Sequence, residues 1–159
     1  MVQAWVSLDP RARWLFHLQS LLRLVLFWVP VSVVACVVLC GFVSMFTAVT
    51  VVAVWLFVQF LLAVWLPTFA FERWGYVVRD SDLLVTHGVF FREVVALPTA
   101  RIQHVDMRQG PLEQWMGLAR IQVYTASGMG SDAVIPGLDI DVADALRDRL
   151  AQVSGDDGV

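Results

Sequence analysis

The side chains able to do chemistry are few and scattered. The histidines are His17, His87 and His104, each isolated in sequence. His104 and Asp106 stand two apart in a run that alternates like a strand, so they share a face and form a surface pair. A catalytic triad would need supporting motif context, and none surrounds them. Gly128-Met129-Gly130 lacks the third glycine and the following helix of a nucleotide loop. Cys36 and Cys40 are four apart, on one helical face within an apolar run. Their expected role is packing, because disulfide geometry does not suit a regular helix and a metal would need further ligands. Lysine is absent, which excludes Schiff-base chemistry and a phosphate-loop lysine. The residue types therefore point away from an enzyme, and no cofactor is expected.

What is left is a surface for binding. Arg101, Arg108 and Arg120 would make a small basic patch or else solvated strand edges, with the edges expected. Trp115 and Met116 sit near a turn. Exposed, they would form an aromatic anchor for a partner; buried in the core, the default for such side chains, they would only pack. With His104, these six residues are the candidate interaction surface.

The elements that must position this surface follow from the distribution of charge. The chain has 159 residues, of which 58% are hydrophobic and 16% charged, and its mean hydropathy is +0.70. Soluble domains are about 25% charged. From Leu24 to Phe71 there is no Asp, Glu, Lys, Arg or His; after that, charge returns at normal density. The chain splits into a lipid-soluble part and a water-soluble part. All eleven basic residues are arginine and asparagine is missing, which reads as the codon bias of a GC-rich, bacterial genome.

A bilayer needs about 20 apolar residues per helical span. Leu24–Phe71 fits two spans, about 24–42 and 46–66, joined by a turn near Gly41–Ser44. Pro30 lies inside the first span, and Pro67 is expected to end or kink the second. Trp14, Trp65 and Trp74 suit the interfacial belt, whereas Trp28 and Trp55 lie deeper and can face the other helix. Arginines flank the outer ends of both spans and the turn has none, which predicts both termini in the cytoplasm. Val33-Val34-Ala35-Cys36 loosely resembles a lipoprotein signal, but the run stays apolar far beyond Cys36. Residues 1–23 are read as a cytoplasmic or interfacial segment, with Asp9-Pro10-Arg11 starting an interfacial helix.

Residues 72–153 read as short β runs with turn punctuation, closed by a helix. Strands are expected at 74–79, 83–87, 90–97, 101–108, 119–125 and 132–136, with Ile121 and Val123 on the core face. A short helical turn is expected at Leu112–Met116. A C-terminal amphipathic helix follows, capped by Asp141, with Val142, Leu146, Leu150 and Val153 on one stripe. Gly155 should end it, leaving 154–159 as a disordered tail. From residue 72 on, thirteen acids stand against eight arginines, a net charge of −5. That balance argues against nucleic acid and against general attraction to anionic lipid.

Several segments carry a family resemblance. Tyr76–Gly88 reads as a strand, an aspartate-containing turn and a Leu-x-Val-x-x-Gly hairpin. Pro98-Thr99-Ala100-Arg101-Ile102-Gln103-His104-Val105 and Gln109-Gly110-Pro111-Leu112-Glu113-Gln114-Trp115-Met116-Gly117-Leu118-Ala119 follow, and Ile135-Pro136-Gly137-Leu138 precedes the last helix. Together they resemble the bacterial pleckstrin-homology-like (PH-like) membrane proteins, with Gln114 where that family often has arginine. The resemblance implies a membrane α-helical hairpin followed by an α+β domain, a small bent antiparallel β-barrel capped by a C-terminal helix. It supplies no defined activity. Pleckstrin-type domains are best known for phosphoinositide binding, but Arg79-Asp80-Ser81-Asp82 sets one arginine beside two aspartates, a poor phosphate cradle. The expectation is a module in the bacterial cell membrane that docks another membrane protein, possibly of the same family. The alternative is capture of a lipid headgroup or amphiphile in an envelope-stress response.

Overall fold

The computed structural model describes residues 5–79, 81–126 and 132–156, with side chains through residue 152. It divides into two compact units, one formed by residues 16–69 and the other by the segment ending at Leu15 together with residues 70 onward.

The first unit holds two long apolar helices, parts of runs at Arg11–Cys40 and Met45–Arg73, each with an 18-residue stretch of mean hydropathy 2.4. The first run comprises α1 (Arg11–Arg23), a π turn (Leu24–Trp28) and α2 (Val29–Cys40); the second is α3 (Met45–Arg73). The π turn has a local cause. Pro30 has no N–H to donate, and the adjacent Val29 N–H reaches back five residues to the Leu24 carbonyl. Ser32 Oγ donates to the Trp28 carbonyl at 2.7 Å. The chain reverses at residues 41–44, where the sequence places the turn. Ser44 caps α3, its Oγ accepting the Thr47 N–H at 3.3 Å. Besides Leu24 and Pro67, the buried residues here are small, Ser32, Ala48 and Ala63, which suits close packing of helices in lipid. Trp28 and Trp55 meet edge to face at 6.0 Å, the deep pairing the sequence suggests. Pro67 does not end α3: it is buried inside the helix, which continues to Arg73. The second helix thus runs past the expected limit of about 66, whereas the first ends at Cys40, close to the expected 42. Polar flanks stay helical because the i→i+4 ladder does not require apolar side chains.

The second unit contains two three-stranded antiparallel sheets. One has the order β1 (Gly75–Val78), β2 (Asp82–His87), β3 (Glu93–Pro98); the other has β4 (Ile102–Arg108), β5 (Leu118–Thr125), β6 (Ala133–Asp139). A short helix, α4 (Pro111–Met116), links β4 to β5, and α5 (Ile140–Asp156) follows β6. Alternation along β5 buries Ala119, Ile121, Val123 and Thr125, and Leu118 at its start is buried as well. Ala143, Leu146 and Leu150 bury one stripe of α5, which packs on β4, β5 and β6. Bulges near His104 in β4 and Arg120 in β5 add twist.

Several expectations need correction. Among the described residues the sheets do not close into a barrel. Pro98, which has no N–H, and the 3₁₀ turn Thr99–Arg101 separate β3 from β4, and each pairs only within its own sheet. The third strand begins at Glu93, not Phe90, since Gly88 at φ +121° turns the chain and leaves residues 89–91 in a bend. Asp139, not Asp141, caps α5: its Oδ1 accepts the Asp141 N–H at 3.1 Å. Val142 is exposed. The helix passes through Gly155 to Asp156, because glycine costs a helix only about 1 kcal/mol and does not forbid it. The side chain of Val153 and the Gly128–Gly130 loop lie outside the described residues.

The N-terminal segment, through Leu15, belongs to the second unit. Val6 and Tyr76 exchange backbone hydrogen bonds at 2.9 and 3.1 Å, adding a bridge to the outer side of β1. Asp9 N–H donates to the Gly137 carbonyl at 3.2 Å, and Leu8, Ala12 and Leu15 are buried. Asp9 caps α1 as predicted, accepting the Arg11 N–H at 2.8 Å. The Arg11 guanidinium then pairs with Asp9 and Asp139 and donates to the Met116 carbonyl at 3.4 Å. That side-chain hydrogen bond holds the Asp9 carboxyl below its ordinary value, against the opposing pull of partial burial.

Candidate interaction surface

Antiparallel pairing assembles most of the candidate residues on one face. Across β4 and β5, His104 stands opposite Tyr124, Asp106 opposite Gln122 and Arg108 opposite Arg120. The intervening pairs, Val105 with Val123 and Met107 with Ile121, point to the other side by the two-residue period of a strand. A polar ladder results. His104 Nε2 lies 2.6 Å from Asp106 Oδ1, and Arg108 Nη2 lies 3.2 Å from the other carboxylate oxygen. Arg108 also donates to the Tyr124 hydroxyl at 3.3 Å, which donates to Gln122 Oε1 at 3.0 Å. The His104 ring sits 5.7 Å from that of Tyr124. The predicted His104–Asp106 pair therefore forms, as part of a longer cross-strand network.

Arg120 is held differently. Its guanidinium binds the carboxylate of Glu113 at 2.8 Å, and the Glu113 side chain is 2% exposed. The same oxygen accepts the Gly110 N–H, a capping-box bond at the start of α4. At the other end Gly117 adopts φ +66°, the left-handed cap that glycine supplies without strain. Both ends of α4 are thus fixed. The geometry leaves Trp115 80% exposed and Met116 half-buried. Core packing, the default for this pair, does not hold for Trp115, which lies two residues from the buried Glu113 and so on the opposite side of α4.

Arg101 stands apart on the 3₁₀ turn, exposed, with its backbone carbonyl accepting the Ala126 N–H at 3.4 Å. The structure therefore does not gather a basic patch. Of the three arginines, Arg108 is balanced by Asp106 and Arg120 by Glu113. The sequence reading paired Asp106 with His104 but missed Gln122 and Tyr124 beside them and the buried Glu113 beneath Arg120. The signal for the first two was the shared period of β4 and β5, but it is readable only once register is known. For Glu113 the signal was its place three residues after Gly110 at a Pro-started helix.

An antiparallel pair of three-stranded sheets with a C-terminal helix, following two apolar helices, is the arrangement expected of a membrane-attached PH-like domain. The bacterial PH domain family matches residues 21–154, and the chain belongs to that family. It is similar to the transmembrane protein YdbS of Bacillus subtilis (strain 168), with 37% identity over 108 residues. That alignment covers 66% of this chain and 66% of the relative, just under two thirds of either. No solved structure matches the chain. The chain is thus a bacterial PH-like domain in a transmembrane protein.

Proposed function

We propose that this protein is a non-enzymatic interaction module. Its two spans anchor it in the membrane, both termini are cytoplasmic, and the PH-like domain docks a membrane-protein partner, possibly of the same family. One observation carries the reading: Trp115 is 80% exposed on a helix whose two ends are locked by Glu113 and Gly117. A rigid exposed tryptophan brings large contact area at little entropic cost, which is why tryptophan dominates binding hot spots. The balanced ladder of His104, Asp106 and Arg108 beside β5 supplies oriented donors and acceptors without a strong net charge, suited to a polar rim. Attachment to the bilayer raises the domain's effective concentration for other membrane proteins.

The test is site-specific photo-crosslinking in living cells, with a photoreactive side chain at position 115 and a control at the exposed position 126. A discrete adduct with an integral membrane protein from 115 alone is the expected result. Normal expression with no adduct at 115, or equal labelling from both positions, overturns the reading. Reporters fused to the two ends should both register the cytoplasm.

A further inference from the structure

Phe90 and Phe91 are 80% and 89% exposed at the tip of the connection between β2 and β3. Two adjacent aromatic rings in water are unusual on a loop whose shape is fixed. Gly88, at φ +121°, sets that shape: a Cβ there would fall 1.8 Å from the Phe91 carbonyl oxygen. The turn therefore excludes any other residue at 88 and holds residues 89–91 outside the ladder.

The tip is also tethered. The Arg73 guanidinium donates to the Val89 carbonyl, and the ring of Trp74 lies 5.2 Å from that of His87 at the base of the same hairpin. Arg73 is the last residue of α3. The helix has 29 residues, about 43 Å at 1.5 Å per residue, close to the thickness of a bilayer with its headgroups. The hairpin tip is thus held within one arginine side chain of the C-terminal end of α3. Around it the composition is that of the interfacial belt. Trp5, Trp74 and Phe90 line one cavity with Arg73, Arg92 and a single acid, Glu72, and the Arg92 guanidinium sits 5.9 Å over the Trp5 ring. No acidic residue lies between Gly88 and Arg92.

We propose that Phe90 and Phe91 insert into the headgroup and upper acyl layer of the bilayer, at the face from which α3 emerges, and so give the PH-like domain a membrane contact besides its two covalent connections to the apolar helices. The occupant is lipid rather than protein because the tip is tied to the end of a spanning helix, where lipid is the neighbour always present. Apolar rings at that depth leave water, while Arg73 and Arg92 keep their charges at the headgroup level. The inference is independent of partner docking, since Trp115 lies on α4.

The experiment uses the full chain with Cys36→Ser and Cys40→Ser, reconstituted into nanodiscs of phosphatidylethanolamine and phosphatidylglycerol. A polarity-sensitive nitrobenzoxadiazole label is placed at Phe91→Cys, in a second protein at Phe90→Cys, and in a control at Ala126→Cys. The expected result is blue-shifted emission at 90 or 91, lost on adding spin-labelled lipid, with a water-like, unquenched signal at 126. Water-like emission at both 90 and 91 overturns the proposal. So does blue-shifted emission that spin-labelled lipid leaves intact, which would mean a protein covers the tip.

Discussion

Arg11 and Asp139 form an ion pair across 128 residues of sequence. The pair closes the PH-like domain with a segment that precedes the two apolar helices in sequence. Arg11 precedes both apolar helices and Asp139 follows the last strand, so the domain folds from the chain's two ends. A fragment starting at residue 72 would lack the buried side chains of Leu8, Ala12 and Leu15 and the Val6 bridge to β1.

This cluster predicts an acid sensitivity. The Arg11 hydrogen bond keeps the Asp9 carboxyl below its ordinary value of 3.8. A lowered native pKa means stability that is fully present above the unfolded value and lost as pH falls through the native one. Thermal melts of the detergent-solubilised protein, followed by circular dichroism, should fall off below about pH 4. Arg11→Ala should melt earlier at neutral pH and lose part of that acid dependence. Equal acid dependence in both proteins would contradict the assignment.

Glu113 and Arg120 should respond unequally to mutation. Arg120 is 37% exposed at its side chain and Glu113 only 2%. Removing the carboxylate leaves an arginine that water can reach, so Glu113→Gln should cost about 1–2 kcal/mol. Removing the arginine strands a buried charge, and Arg120→Ala should cost about 3 kcal/mol or more. The double replacement by leucine should be milder than Arg120→Ala alone. Chemical denaturation in one detergent ranks the three variants, and the reverse order would sink the account.

Gly137 is needed for two reasons that a double mutant can separate. It adopts φ +63°, and a Cβ there would lie 2.3 Å from the Cβ of Ala12. Gly137→Ala should destabilise by about 1–3 kcal/mol through the clash and the left-handed backbone together. Adding Ala12→Gly removes the clash and leaves only backbone strain, so part of the melting temperature should return. If the second change recovers nothing, the N-terminal helix does not pack on Gly137 as described.

Trp115 and Leu118, three residues apart, should behave oppositely. Trp115→Ala removes an exposed ring and should change stability by no more than about 0.5 kcal/mol. Leu118 is fully buried, and Leu118→Ala should cost about 2–5 kcal/mol. Loss of partner crosslinking in the first variant, with unchanged melting, would separate docking from folding.

Much of the architecture was legible because it depends on local properties of the chain. A run without ionisable groups partitions into lipid whatever its neighbours do, so the helical hairpin followed from charge and length, and its turn at Gly41–Ser44 from the small residues clustered mid-run. Alternation placed Ile121 and Val123 in the core, and the spacing of His104 and Asp106 set them on one face. Other features needed contacts between residues distant in sequence. Local spacing could not say that Val6 bridges Tyr76, nor that Glu113 neutralises Arg120 and dissolves the basic patch. Nor could it show that Pro98 and its following turn leave two separate sheets, or that Trp115 stands in water. Those depend on register and on which ends of the chain meet, properties that arise only when strands pair and a shared core forms.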